Sequence, residues 1–481
     1  MFIYLSAFRS FLFRFSKKVI LIGIICGILL FNFLASFAQE KGYQINCELK
    51  GLTPGSTAFL VYILGNTEIK TATCVAGPTG DLHFVGSDNL SAGIYKVILQ
   101  DQKMFYLIAN KQTRIDIQSD VQNLISSMRV LNDEENKYFY QYLNTIEINQ
   151  GKIDTLKYEL RRAHTLEDSM TAIKKGNAAI LAQNSMKSSF VKSHSFPILT
   201  KLINLSKEPA MSEAQLAKIN NAAAYLVFYK AHFLDNVDFN DTITLHLPQF
   251  QSKISINIMR VTKQEFTIVW KEVVSVLNLA KSNKELYKYL VNYFTFCYDG
   301  SKVNGMDAMF VEMAQNYFLK DQIFWRDSFM LYRMLDKINI ATPLLNGQKI
   351  PMLNLKDEND IWHSVEEGNS NYTVVVFYDP DCKHCIQEVP ILKEYYDQVH
   401  DKGVNVYAVC IGPDRDKWKQ FIIDYKLDWV NVADFDQQFN LLRVFDVNTY
   451  PQFFLLNNDK NIVAKKIDLN TLLSMLRTKI L

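Results

Sequence analysis

The run NYTVVVFY, residues 371 to 378, constrains the fold of this chain more than any other stretch. A strand with one wet face alternates apolar and polar residues, whereas a strand covered on both faces reads as a near-continuous apolar run. The run therefore demands layers on both sides of the sheet that holds it. The residues after it can supply them. IQEVPILKEYYDQVH (386–400) shows helical spacing through Ile391, Leu392 and Tyr395, and GVNVYAVCIG (403–412) reads as a second buried strand. DKWKQFIIDY (416–425) reads as a second helix. After a short FNLLRVFDV segment (439–447), TYPQFFLLN (449–457) and NIVAKKI (461–467) form a pair of strands, and 469–481 a closing helix. Residues 341–481 are thus expected to form an α/β domain around a central mixed sheet.

Between the first strand and the first helix stand Cys382 and Cys385, spaced CKHC. Three chemistries use thiols this close. A structural zinc site usually shows a second close pair of ligands, but Cys410 stands alone and no His-x-x-x-His follows. Haem attachment needs a histidine directly after the second cysteine, where Ile386 stands. A redox dithiol needs a strand, a short loop and then the pair at the start of a helix, which is the pattern here. A helix N-terminus offers unpaired N–H groups and a partial positive charge that favour thiolate. Lys383 and His384 add positive charge between the sulfurs, while Asp381 and the nearby Asp379 oppose it. In this reading Cys382 attacks a partner disulfide and Cys385, one turn further in, resolves the mixed disulfide.

The 481 residues are too many for one core. Residues 1–38 read as a secretory signal: Arg9, Arg14, Lys17 and Lys18, an uncharged run from Val19 to Leu34, then Ser36-Phe37-Ala38. Cleavage after about Ala38 and retention as an anchor both stay open. Removing this segment changes the formal net charge from +2 to −2, so the mature chain has no basic footprint for nucleic acid. Residues 39–122 read as short strands separated by turns: FLVYIL (59–64), TATCV (71–75), LHFVG (82–86), GIYKVIL (93–99), MFYLIA (104–109) and RIDI (114–117). They suggest an antiparallel β-sandwich-like domain. Cys47 and Cys74 fall on its strands, either as small buried side chains or as a pair. Residues 123–340 turn helical. A long amphipathic helix runs from Tyr138 through Ala163, and others lie around 213–234, 263–281, 284–297, 307–318 and 323–338. The expected fold class is multidomain: the β-rich domain, a central α-helical domain and the α/β domain.

Residues 342–481 resemble the thioredoxin-fold domain of exported TlpA/ResA-type thiol-disulfide oxidoreductases. The resemblance rests on the strand VVVFY, on Cys382-Lys383-His384-Cys385 followed by Glu388 and Pro390, and on Tyr450-Pro451. It implies that Glu388 assists proton transfer, that Pro390 bends the active-site helix, and that Pro451 is cis and lines a partner groove with Tyr450. The sequence departs from the family at Asp381, where tryptophan is usual, and at Asp379, where a peroxiredoxin would carry threonine. The upstream regions resemble two uncharacterised domain families: DUF4369 for the β-rich part, and DUF5106 for the helical part through AHFLDNVDFND (231–241).

The function expected is that of an exported thiol-disulfide oxidoreductase of the periplasm or cell envelope. Its partners would be substrate protein disulfides or dithiols and a redox donor or acceptor, with a membrane-bound one among the candidates. It needs no metal and no organic cofactor, because electrons pass through the mixed disulfide. The alternatives are an envelope ligand-binding or stress module with an auxiliary dithiol, and a thiol peroxidase of the redoxin type.

Overall fold

Short strands divided by tight turns dominate the first part of the chain, and a computed structural model shows how they pair. It describes residues 42–110, 113–146, 162, 165–301, 303–320 and 328–480. The expected leader, most of the expected helix beyond 146, and the start of the one expected from 323 lie outside these residues. Two compact units result: the chain to Asp238 with Ile243–Ser252, and Phe239–Thr242 with everything from Lys253 onward.

The first unit holds β1 (Tyr43–Lys50), β2 (Thr57–Leu64), β3 (Thr67–Val75), β4 (Asp81–Gly86), β5 (Gly93–Leu99), β6 (Met104–Ala109), β7 (Thr113–Asp120) and β8 (Arg129–Val130). They form two four-stranded sheets, ordered β4-β1-β7-β8 and β3-β2-β5-β6. Alternate residues point inward, as the period of two requires: Ile45, Cys47 and Leu49 of β1 and Leu82 and Phe84 of β4 are all buried. One feature corrects the antiparallel expectation. β1 and β7 pair in parallel, with Ile45 opposite Ile115 and Cys47 opposite Ile117. Parallel neighbours need a long crossover, and here five intervening strands provide it. Helices follow in the same unit. The one expected over 213–234 is two, Glu213–Leu216 and Ala222–His232, because Asn221 interrupts it and its side chain caps the second piece by accepting the Ala224 N–H at 2.9 Å.

The second unit begins with further helices, among them Phe266–Ala280, which buries Val269, Val273, Val276, Leu277 and Ala280 along one face. The helix expected over 307–318 is regular only over Ala308–Met313, and a widened π-helical turn completes it. Then comes a seven-stranded mixed sheet. Its strands are β9 (Asn354–Lys356), β10 (Trp362–Ser364), β11 (Tyr372–Tyr378), β12 (Val404–Cys410), β13 (Val430–Ala433), β14 (Gln452–Asn457) and β15 (Ile462–Ile467), in the order β10-β9-β13-β12-β11-β14-β15. β11 lies inside it, parallel to β12 and antiparallel to β14. Three helices matter for the site: α1 (Lys383–Val399), α2 (Arg415–Asp424) and α3 (Leu469–Ile480).

The apolar run behaves as its composition demands. Val374, Val375, Val376 and Phe377 are all fully buried. Val374, Val376 and Tyr378 share one layer with Val389 and Leu392 of α1 and Leu472 and Leu476 of α3. Val375 and Phe377 point into the other, with Leu355, Phe445 and Phe454. Each such side chain contributes about 1.5–3 kcal/mol of burial, so β11 is a stiff base for the loop that leaves it. β9, β10 and β13 escape the sequence reading because three or four residues are too few to display a period. Among the described residues, no helix is long and apolar enough to cross a membrane.

Candidate functional site

β11 ends at Tyr378, and the chain turns through Asp379, Pro380 and Asp381 before α1 begins. The turn is closed locally. Asp379 Oδ1 accepts the Asp381 N–H at 2.9 Å, and the Asp379 carbonyl accepts the Cys382 N–H at 3.0 Å. Cys382 is thereby set at the N-cap of α1 in an extended conformation, and its side chain makes no capping hydrogen bond. Its sulfur stands where first-turn N–H groups lack helical partners. Cys385, one turn on, is fully buried, while Cys382 is partly exposed.

The sheet register brings the second part of the site to the first. Phe377 of β11 lies opposite Gln452 of β14, so the residues just before β14 lie beside those just after β11. These residues are Tyr450 and Pro451, and the bond between them is cis. The Cys382 thiol donates to the Tyr450 carbonyl at 3.6 Å. The sequence-derived residues Cys382, Cys385, Tyr450 and Pro451 therefore gather at one end of the sheet.

The two thiols have unlike surroundings. Burial pushes the Cys385 thiol far up; a hydrogen bond to the Asp379 backbone pulls it back in part, and the neighbouring Cys382 and Asp379 push it further. Glu388, the next turn along α1, is part-buried. Burial raises its carboxyl, His384 pulls it down, and Asp468 pushes it up. Lys383 and His384 are exposed, and Pro390 lies inside α1. Cys410 ends β12 directly opposite Tyr378 in the register and is buried, with its thiol pushed up to about 12 by desolvation.

Two contributors were not evident from sequence. Trp418 is buried and donates its indole N–H to the Tyr378 hydroxyl at 3.0 Å, bracing the end of β11. Lys417 places its ammonium 2.8 and 2.9 Å from the two carboxylate oxygens of Asp381. Nothing local marks Lys417: it lies 36 residues from its partner, in a helix whose pattern announces only its buried face. Among the described residues, no three His, Cys, Asp or Glu side chains gather into a metal-binding group. The arrangement can thus present one accessible sulfur to a partner, with a second, protonated thiol in reserve behind it.

A mixed sheet in which a strand, the Cys382–Cys385 loop and a helix face the Tyr450-Pro451 loop has the arrangement of a thioredoxin-like domain. Comparison agrees: residues 346–465 match the model of the AhpC/TSA family, and the C-terminal region is an AhpC/TSA-type thioredoxin-like domain. The chain is similar to the thiol-disulfide oxidoreductase ResA of Bacillus subtilis, 26% identical over 117 residues, covering 24% of this chain and 64% of that relative. ResA of Geobacillus thermodenitrificans is 28% identical over 131 residues, covering 27% of this chain and 73% of the relative. Among solved structures, a domain of a possible thiol-disulfide isomerase from Cytophaga hutchinsonii is 31% identical, covering 28% of this chain and 94% of that one, with a TM-score of 0.27. A thioredoxin-like protein from Bacteroides caccae covers 56% of this chain and 97% of its own at 16% identity, with a TM-score of 0.45. The match to the B. subtilis relative spans less than two thirds of that relative's length.

Proposed function

We propose that this protein is a thiol-disulfide oxidoreductase that exchanges electrons with protein disulfides or dithiols through Cys382 and Cys385. The observation that carries this reading is the asymmetry of the pair. Cys382 is partly exposed at a helix N-terminus beside Tyr450-Pro451, and Cys385 is buried behind it with its proton held. The similarity to proteins named as thiol-disulfide oxidoreductases supports it.

In the reducing direction, the Cys382 thiolate attacks one sulfur of a substrate disulfide. That S–S bond breaks, a mixed disulfide forms, and the first substrate thiolate leaves. Cys385 then loses its proton and attacks the Cys382 sulfur. The mixed disulfide breaks, the second substrate thiolate leaves, and the Cys382–Cys385 disulfide remains. Two electrons have passed to the substrate, and a donor must return two to the protein. The second step needs a base for a thiol whose environment holds its proton tightly. Glu388 fills that role in our reading, because burial raises its carboxyl and makes it a better proton acceptor than an ordinary surface carboxylate. Tyr450 and Pro451 form the wall against which a partner's backbone lies. Lys383 and His384 favour the sulfur anion and Asp381 opposes it. In this reading the leader-like sequence of residues 1–38 directs the protein to the periplasm or cell envelope.

The decisive test is the equilibrium reduction potential of the pair against a dithiothreitol or glutathione series, with Cys382 followed by alkylation. A value near or below about −270 mV would assign a reductant, and one near −120 mV an oxidant. A pair that never cycles would sink the reading.

A further inference from the structure

The two carboxylates beside the dithiol have different fates. Asp379 turns inward to hold the Asp381 N–H, within the loop itself. Asp381 turns outward and meets Lys417 through both its oxygens. Lys417 is well placed for this. It lies in the first turn of α2, where Asp414 Oδ1 accepts both its own backbone N–H and that of Asp416 at 3.0 Å. The next residue, Trp418, is buried and bonded to Tyr378, the residue from which the dithiol loop departs. The backbone beneath Lys417 and the backbone beneath Asp381 are thus tied to the same strand end.

We propose that Lys417 is an electrostatic positioning residue for the dithiol: it neutralises the carboxylate one residue before Cys382, so that negative charge can develop on that sulfur. The inference rests on Cys382 being the attacking thiol. It explains how the chain tolerates Asp381 directly before that residue, since the partnered acid presents a neutral pair to the sulfur rather than a lone negative charge. The other charged or titratable groups around the loop are Asp379 within it, Lys383, His384, Cys385 and Glu388 on α1, Asp414 at the N-cap of α2 with Arg415 and Asp416 in its first turn, and Tyr450 across from the thiol. All of them stay in place in the experiment.

A mere clamp between loop and helix would make the same contacts, but it predicts a different pattern. In the full-length reduced protein, the rate of Cys382 alkylation by iodoacetamide, an uncharged reagent, can be read peptide by peptide by mass spectrometry at neutral pH. With a charge role, Lys417→Gln slows alkylation at low salt by about two- to threefold, the size of one solvent-screened unit charge. Lys417→Arg leaves it near the wild-type rate, and Asp381→Asn speeds it. The double variant Asp381→Asn/Lys417→Gln returns towards wild type. At about 1 M salt, where the screening length is about 3 Å, the differences collapse. If Lys417→Gln and Asp381→Asn move the rate in the same direction, if neither moves it, or if the changes survive high salt, the proposal is overturned. Whether the wild-type pair cycles with a disulfide is a separate reading. It judges the oxidoreductase function, while the pattern of rates judges Lys417.

Discussion

Cys47 and Cys382 are the same side chain in two differently built sheet systems. Cys47 sits mid-strand in β1, 1% exposed between Ile45 and Leu49, and burial pushes its thiol far up. Cys74, on β3, is pushed up to about 11, again first by burial. Cys382 lies one loop beyond a strand end, partly exposed at the start of a helix. The side chain is the same, but a strand interior turns it into a small apolar filler, whereas the step from strand to helix N-terminus gives a sulfur access and a favourable field. The C-terminal sheet can support this because its central strand is covered on both faces, while β1 alternates and carries Cys47 inside.

The sharpest break of this comparison would be its reversal by mutation. Cys382→Ser should abolish disulfide exchange, a loss on the order of 10³-fold or more, while Cys47→Ser leaves the rate unchanged; insulin reduction or a fluorescent disulfide substrate reads both. Cys385→Ser should instead let a mixed disulfide build up on Cys382, seen as a larger species on non-reducing gels that dithiothreitol removes. The two sheet systems should also differ in tolerance. Phe377→Ala, in a site packed by Phe445 and Phe454 at centroid distances of 5.1 and 5.9 Å, should cost about 3–5 kcal/mol in denaturant titrations. Thr71→Ala, exposed on β3, should stay within about 0.5 kcal/mol.

Alkaline pH sharpens the thiol comparison. Cys385 and Cys410 have folded pKa values raised above the ordinary value of 9.0. An acid so raised keeps its proton in the fold, so its stabilising effect is complete below the unfolded pKa and is lost as pH rises above it. Reduced protein should therefore lose stability from about pH 9 towards 12, by at most about 1.4 kcal/mol per pH unit for each thiol. Cys410→Ser should remove its own share, as melting at pH 7 and pH 10 would show. The smallest effect concerns Glu388. Its raised carboxyl costs stability as pH climbs above the ordinary value of 4.5, so Glu388→Gln should be the more stable form at pH 7.5 and not at pH 4. Solvent screening limits the gain to about 0.3 kcal/mol, and slower resolution by Cys385 should accompany it.

Much of the site was legible because its signals are local. The unbroken VVVFY run, the CKHC spacing at a strand-to-helix step and the Tyr450-Pro451 bond each declare themselves within a few residues. The N-terminal strands were legible for the same reason, since a period of two needs only five or six residues to show. Strands of three or four residues, such as β9 and β13, have no period to display. The helix expected over 213–234 concealed a break that only the Asn221 cap reveals.

What the sequence determined by itself is therefore the set of parts: a Cys382–Cys385 pair at a helix start, strands buried on two faces or on one, and a proline before the β14 strand. Tertiary structure alone decided how distant parts meet. The parallel pairing of β1 with β7, the approach of the Tyr450 carbonyl to the Cys382 thiol across 68 residues, and the union of Lys417 with Asp381 across 36 all depend on sheet order and register. The physical reason is that periodicity reports which face of an element is buried, but an exposed charge such as Lys417 leaves no mark in that pattern, and its partner is chosen only when the sheet brings two loops to the same edge.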